Sequence, residues 1–279
     1  MTDIKIVLDS SADLMEMQDV DFACAPLVIS TAERDYIDDA SLDVAAMANE
    51  LYNYKGRSRT SCPNVEDWLA AFGDAKRIIA ITITGSLSGS FNAARNAKNA
   101  YEEKYPDRQV FLIDSLSAGP EIALMAERAR EMILAGREFE QICEGIKNYN
   151  AELLFVLESM KNLANNGRVS KLAATAAGML GIRAVGRASE EGTLEMLSKC
   201  RGTPKAIEVL AGYMRDMGFS GGRAIISHCL NEPMAERLRA AILSAYPEAD
   251  VAIRECRGLC SFYAERGGML IGFETNGKM

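Results

Sequence analysis

The chain reads as an α/β protein in two domains. Residues 1–150 are expected to form a parallel α/β sheet domain, and residues 151–279 an α+β domain whose sheet is mainly antiparallel. Three observations predict this. Apolar, β-branched runs alternate with helical patterns through the first half, which is the rhythm of a parallel sheet with helices on both faces. One of those runs, with Ile78, Ile79, Ile81 and Ile83, is almost free of charge, as in a strand buried on both faces. Beyond residue 150 the rhythm changes to apolar strands, a hairpin signal and well-separated helices.

In order, Lys5–Asp9 is a short strand and Asp9-Ser10-Ser11-Ala12-Asp13 its polar exit. Phe22–Ser30 reads as a second strand. Ser41 is expected to cap a helix with Leu42, Ala45, Ala46 and Leu51 on one face. Pro63 forces Cys62 to be extended, and Asn64 suits the cap of a helix holding Trp68, Leu69 and Phe72. Thr60 and Ser61 are therefore expected on an exposed loop, where a hydroxyl pair serves either a ligand or the local turn.

The central strand runs into Thr84-Gly85-Ser86-Leu87-Ser88-Gly89-Ser90 and then into a helix with Ala93, Ala94, Ala97 and Ala100 on helical spacing. Unpaired N–H groups at a helix start favour an anion, and α/β folds place ligands at the carboxyl ends of strands. Ser88, Gly89 and Ser90 are thus candidates for holding something negative. A helix cap by Ser88 or Ser90 accounts for the same hydroxyls. The spacing is neither a Walker loop nor a dinucleotide fingerprint, so the anion need not be a nucleotide.

Gln109–Asp114 is a further strand, followed by helices near 121–134 and 139–150. In the second half, Leu153–Leu157 is a strand and 161–166 a short polar piece. Gly167-Arg168-Val169-Ser170 leads into a small-residue helix, Lys171–Leu180. Ala184–Ser189 and Thr193–Lys199 flank a turn as a hairpin. Helices at 203–217 and 232–246 and strands at 223–228, 251–255 and 269–274 complete the chain.

The net charge of −8 makes nucleic acid and anionic membranes poor partners. No apolar run reaches membrane-spanning length, and the acidic start MTDIKIVLDSSADL does not read as a signal peptide. Seven scattered cysteines without CxxC pairs argue against a disulfide framework and against a zinc site. Reduced thiols in a cytoplasm fit them best. One histidine, His228, leaves no room for a histidine-rich metal site, and no cofactor is expected.

Five stretches then line up in order. LDSSADL, RTSCPN, ITITGSLSGSFNAARNA, LANNGRVSKLAA and IRAVGRASEEGTLEMLSKCRGTPKAIEVL are similar to the VDSTADL start, the K-T-S-Q-P-S loop, the L-S-G-T segment, the G-G-R-I-S element and the D-G-x-L…K-x-R pattern of one family. Over essentially its whole length the chain resembles the DegV family of bacterial fatty-acid-binding proteins.

The resemblance implies a long-chain fatty acid of the palmitate, stearate or oleate class lying between two domains. It implies a carboxylate held by Thr60, with Ser61 beside it, by Ser88, and by the guanidinium of Arg168. It implies a carrier without chemistry of its own, which presents its fatty acid to a separate fatty acid kinase. The alternative from another class is an α/β enzyme acting on a small phosphorylated or carboxylated metabolite through the same turns. One departure stands out. The family's C-terminal histidine, which helps hold the carboxylate, falls on or beside Ala264 here, with Tyr263 and Arg266 as the residues able to compensate.

Overall fold

Four strands of the first half pair as their unbroken apolar character requires. They are β1 (Ile4–Asp9), β2 (Asp21–Ala25), β6 (Arg77–Thr82) and β7 (Gln109–Asp114), in the order β2-β1-β6-β7 and all parallel. The computed structural model describes residues 3–170 and 181–276, so the expected helix over Lys171–Leu180 lies outside the described residues. Both faces of this sheet are covered. Ile78 and Ala80 pack with Trp68 and Phe72 of α2 (Val65–Phe72) and Tyr101 of α3 (Ser90–Lys104). Ile79 and Ile81 pack with Ile122 and Met125 of α4 (Pro120–Leu134) and Phe139 of α5 (Phe139–Lys147).

Three local readings change. Phe22–Ser30 is two strands rather than one, because Pro26 has no N–H for a ladder. β3 (Val28–Ser30) leaves the parallel sheet and pairs antiparallel with β4 (Asp35–Ile37) and β5 (Arg59–Ser61). Thr60 and Ser61 consequently stand on a strand opposite Ile29 and Val28, not on a loop. Asp43, not Ser41, caps α1 (Val44–Asn53), accepting from the Ala46 N–H at 2.9 Å, while the Ser41 hydroxyl is spent on Asp39. Leu42 and Leu51 pack inward as expected, together with Val44 and Met47, while Ala45 and Ala46 are exposed. The Asn64 cap is present as a reciprocal box with Asp67.

The second half builds a six-stranded sheet in the order β10-β9-β8-β13-β11-β12. β8 (Ala151–Leu157), the hairpin β9 (Ile182–Ala188) and β10 (Leu194–Arg201), β11 (Arg223–His228) and β13 (Met269–Glu274) pair antiparallel. β12 (Asp250–Glu255) pairs parallel to β11, because helix α8 (Glu232–Ala245) crosses over between them. α8 and α7 (Thr203–Asp216) bury Leu210, Met214, Leu238 and Ile242 against one face of this sheet.

Two helices bind the halves together. α4 packs on β1 and β6 and also on β8, β11 and β13, so it lies between the sheets. Beyond β12, where the sequence reading assigns no element, the chain forms α9 (Gly258–Ala264). α9 packs against α1, β3 and α6 (Lys161–Asn165).

Candidate functional site

Carboxylates at the ends of β1 and β7 fix the turn that leaves β6. Asp9, the last residue of β1, is fully buried. It accepts from the Ile83 N–H at 3.0 Å, from the Ser90 hydroxyl at 2.6 Å and from Ser11. Burial pushes its pKa up, while these donors favour the charged form. Asp114, at the end of β7, takes the Gly85 N–H at 3.0 Å. The hydroxyl-rich turn is thereby pinned at both of its ends, which leaves its middle free to face a ligand.

That middle borders a cavity of about 290 Å³. Thr60, Ser61, Ser88, Gly89 and Arg168 all line it. Ser90 does not, since its hydroxyl is committed to Asp9. Nor does Ser90 cap α3: the cap position is Gly89, without a side-chain bond. Ser88 is shared between readings, because it faces the cavity and its Oγ also accepts the Ser90 N–H at 3.3 Å.

Arg168 reaches the cavity through a left-handed turn. Gly167, at φ +73°, ends α6, and the Arg168 N–H closes back on the Leu163 carbonyl at 2.8 Å. The guanidinium donates from Nε to the Leu87 carbonyl at 3.1 Å and from Nη1 to the Asn166 carbonyl. Among the described residues no carboxylate forms an ion pair with it. Its positive charge is left for something else.

Tyr263, on α9, stands beside these groups. Its phenol lies 2.7 Å from the Thr60 hydroxyl, and its ring centroid is 6.0 Å from the Arg168 guanidinium carbon. Burial raises the phenol's pKa, so it stays a neutral donor. Sequence patterning named Tyr263 only as a substitute for a missing histidine. Ala264 does line the cavity. Arg266 lies instead over the Tyr52 ring. His228 is buried in β11, accepts the Asn231 N–H at Nδ1, and is held below its ordinary pKa by desolvation, away from the cavity.

Away from this polar corner the wall is hydrocarbon, supplied by both halves: Leu27 and Ile83 from the first, Leu153, Phe155, Leu194 and Leu270 from the second. Such a wall suits an aliphatic chain and offers nothing to a sugar or a nucleotide. Among the described residues no cluster of His, Cys, Asp or Glu suits a metal ion. Among the same residues no helix is long and apolar enough to cross a membrane.

Residues 3–276 match the family model described as uncharacterised protein, DegV family. The chain belongs to the DegV family. A DegV domain-containing protein of Streptococcus pneumoniae is 43% identical over 98% of this chain and 99% of its own length. Among solved structures, a DegV family protein from Eubacterium eligens loaded with heptadecanoic acid superposes with a TM-score of 0.96 at 42% identity, covering 98% of this chain and 100% of that one. The Streptococcus pneumoniae Fatty Acid Kinase B3 protein loaded with linoleic acid also gives 0.96, at 43% identity and 98% and 99% coverage. The α/β fold of this DegV chain, parallel first and mainly antiparallel after, is the fold of those proteins.

Proposed function

We propose that this DegV protein binds one long-chain fatty acid in the cavity between its 1–150 and 151–279 portions. The carboxylate lies against Thr60, Ser61, Ser88, Gly89 and Arg168, and the chain runs along the leucine-lined wall. The observation that carries this is the pairing of an uncompensated guanidinium with a hydrocarbon cavity. A half-buried charge beside a hydrocarbon wall gains from a counter-charge, and a carboxylate that also takes hydroxyl donors supplies it.

Burying a methylene is worth about 0.8 kcal/mol, so a chain of about 14 methylenes offers on the order of 11 kcal/mol before the costs of association. A metabolite enzyme would need a polar cleft with paired acids, and this wall is hydrocarbon. The protein acts as a carrier, and the relative called Fatty Acid Kinase B3 supports a kinase as the recipient of its cargo. We place it in the cytoplasm, where its seven free thiols stay reduced.

Native mass spectrometry of the purified protein, followed by titration with linoleate, tests this reading. One fatty acid per chain, or saturable binding of linoleate by stripped protein, is the expected result. A protein that carries no lipid and takes up none would contradict it.

A further inference from the structure

α9 has no cap of its own: Arg257, at the cap position, makes no side-chain bond to the helix start. Its first N–H groups are received by carboxylates from the other end of the chain. Asp38, fully buried, accepts the Gly258 N–H at 2.7 Å on one oxygen and the Leu259 N–H at 2.8 Å on the other. Asp13 accepts the Arg257 N–H at 2.7 Å on Oδ1. Its Oδ2 has no partner among the described residues. At Gly258 a Cβ would stand 2.6 Å from Asp38 Oδ1, so a methyl there displaces that carboxylate.

The same short helix reaches the head-group corner twice. Tyr263 meets Thr60 directly. The far end of α9 holds α6: the Asn162 side chain donates to the Phe262 carbonyl at 2.8 Å, and the Asn162 N–H to Glu265 at 2.9 Å. α6 leads straight into the Gly167 turn that presents Arg168.

We propose that Asp38, supported by Asp13, is a positioning residue for the carboxylate corner: it fixes the start of α9 and thereby sets where Tyr263 and Arg168 stand. This rests on the fatty-acid reading above. The two acids differ in what they tolerate. Both oxygens of Asp38 accept N–H donors, so an asparagine there turns an NH₂ group against a backbone N–H. Asp13 uses one oxygen, and an asparagine keeps it.

The test compares linoleate with linoleyl alcohol, which has the same chain and no carboxylate, on the full-length protein. Asp38→Asn is expected to weaken linoleate roughly tenfold or more and the alcohol by less than about threefold, so that discrimination between them collapses. Tyr263→Phe gives the same pattern, the double variant loses less than the product of the two single losses, and Asp13→Asn stays near wild type. Unchanged discrimination in Asp38→Asn, equal losses for acid and alcohol, or fully multiplicative losses would overturn the proposal. Should Asp38→Asn not fold, Gly258→Ala pushes on the same carboxylate and is expected to lose the same discrimination; retained discrimination there overturns the proposal equally. Wild-type protein that binds neither ligand ends the fatty-acid reading itself and this role with it, an outcome visible before any variant is made.

Discussion

The Thr60 hydroxyl and the Tyr263 phenol lie 2.7 Å apart across 203 residues of sequence. Their contact joins a strand of the small N-terminal sheet to a helix of the C-terminal half, at the polar corner of one cavity. One of the two hydroxyls donates to the other, which leaves the second proton to point at an anion, and neither group is charged.

Thr60→Ala and Ser88→Ala are each expected to weaken fatty-acid binding by roughly 1.5–3 kcal/mol, the worth of a hydrogen bond to a charged group. Arg168→Met should cost at least as much. Calorimetric titration with linoleate reads the loss, and a thermal melt checks that the fold is kept. Lower melting temperatures with unchanged affinity would leave Thr60 only its contact with Tyr263 and Ser88 only its bond to the Ser90 N–H.

Ser90→Ala should behave in the opposite way. Ser90 donates to buried Asp9 and does not face the cavity. Its loss leaves a buried carboxylate short of a donor, at a cost of about 1–3 kcal/mol of stability. Chemical denaturation measures this, and linoleate affinity at saturating fold should change little.

Gly192 sits at the tip of the β9–β10 hairpin with φ +73°, where a Cβ would stand 2.1 Å from Thr84 Oγ1. The neighbouring Glu191 carbonyl accepts the Ser86 hydroxyl at 2.6 Å. Gly192→Ala therefore pushes the hairpin off the hydroxyl turn. Expected results are a destabilisation of about 1 kcal/mol or more and a weaker linoleate complex, read by melting and titration.

Asp13 and Glu121 should make stability fall as pH rises from about 4 to about 8. Desolvation raises Asp13 from 3.8 to about 7 and Glu121 from 4.5 to about 8. A carboxyl whose folded pKa is raised holds its proton more tightly in the folded state. Its contribution is full below the unfolded value and is lost as pH climbs through the folded one. The melting temperature should drop across that window, and Glu121→Gln, which keeps an acceptor for Ser117, should flatten its upper part. A melting temperature that rises over the window would refute the assignment.

The legible parts of the sequence were those fixed by neighbours in the chain. Ile78–Ile83 declares a strand buried on two faces, and Asn64 with Asp67 declares a helix start within four residues. The hydroxyl turn and Arg168 were legible as motifs, and the fold brings Thr60, Ser61, Ser88, Gly89 and Arg168 to one cavity. What escaped depends on distant partners. α9 opens on a glycine and is capped by Asp38 and Asp13, more than two hundred residues away, so no local pattern announces it. Ser90 looks like its neighbours Ser86 and Ser88 until the end of β1 places Asp9 beneath it. Asp9 and Asp13 read as a polar turn, although acids at the carboxyl end of a buried strand in an α/β sheet stand where such folds build their sites.

The most direct measurement is a crystal structure of the protein loaded with heptadecanoate. The account predicts the carboxylate within hydrogen-bonding distance of the Thr60 and Ser88 hydroxyls and of the Arg168 guanidinium, with the alkyl chain running past Leu153 and Leu270. A carboxylate bound elsewhere, or a chain laid with its methyl end against Arg168, would contradict it.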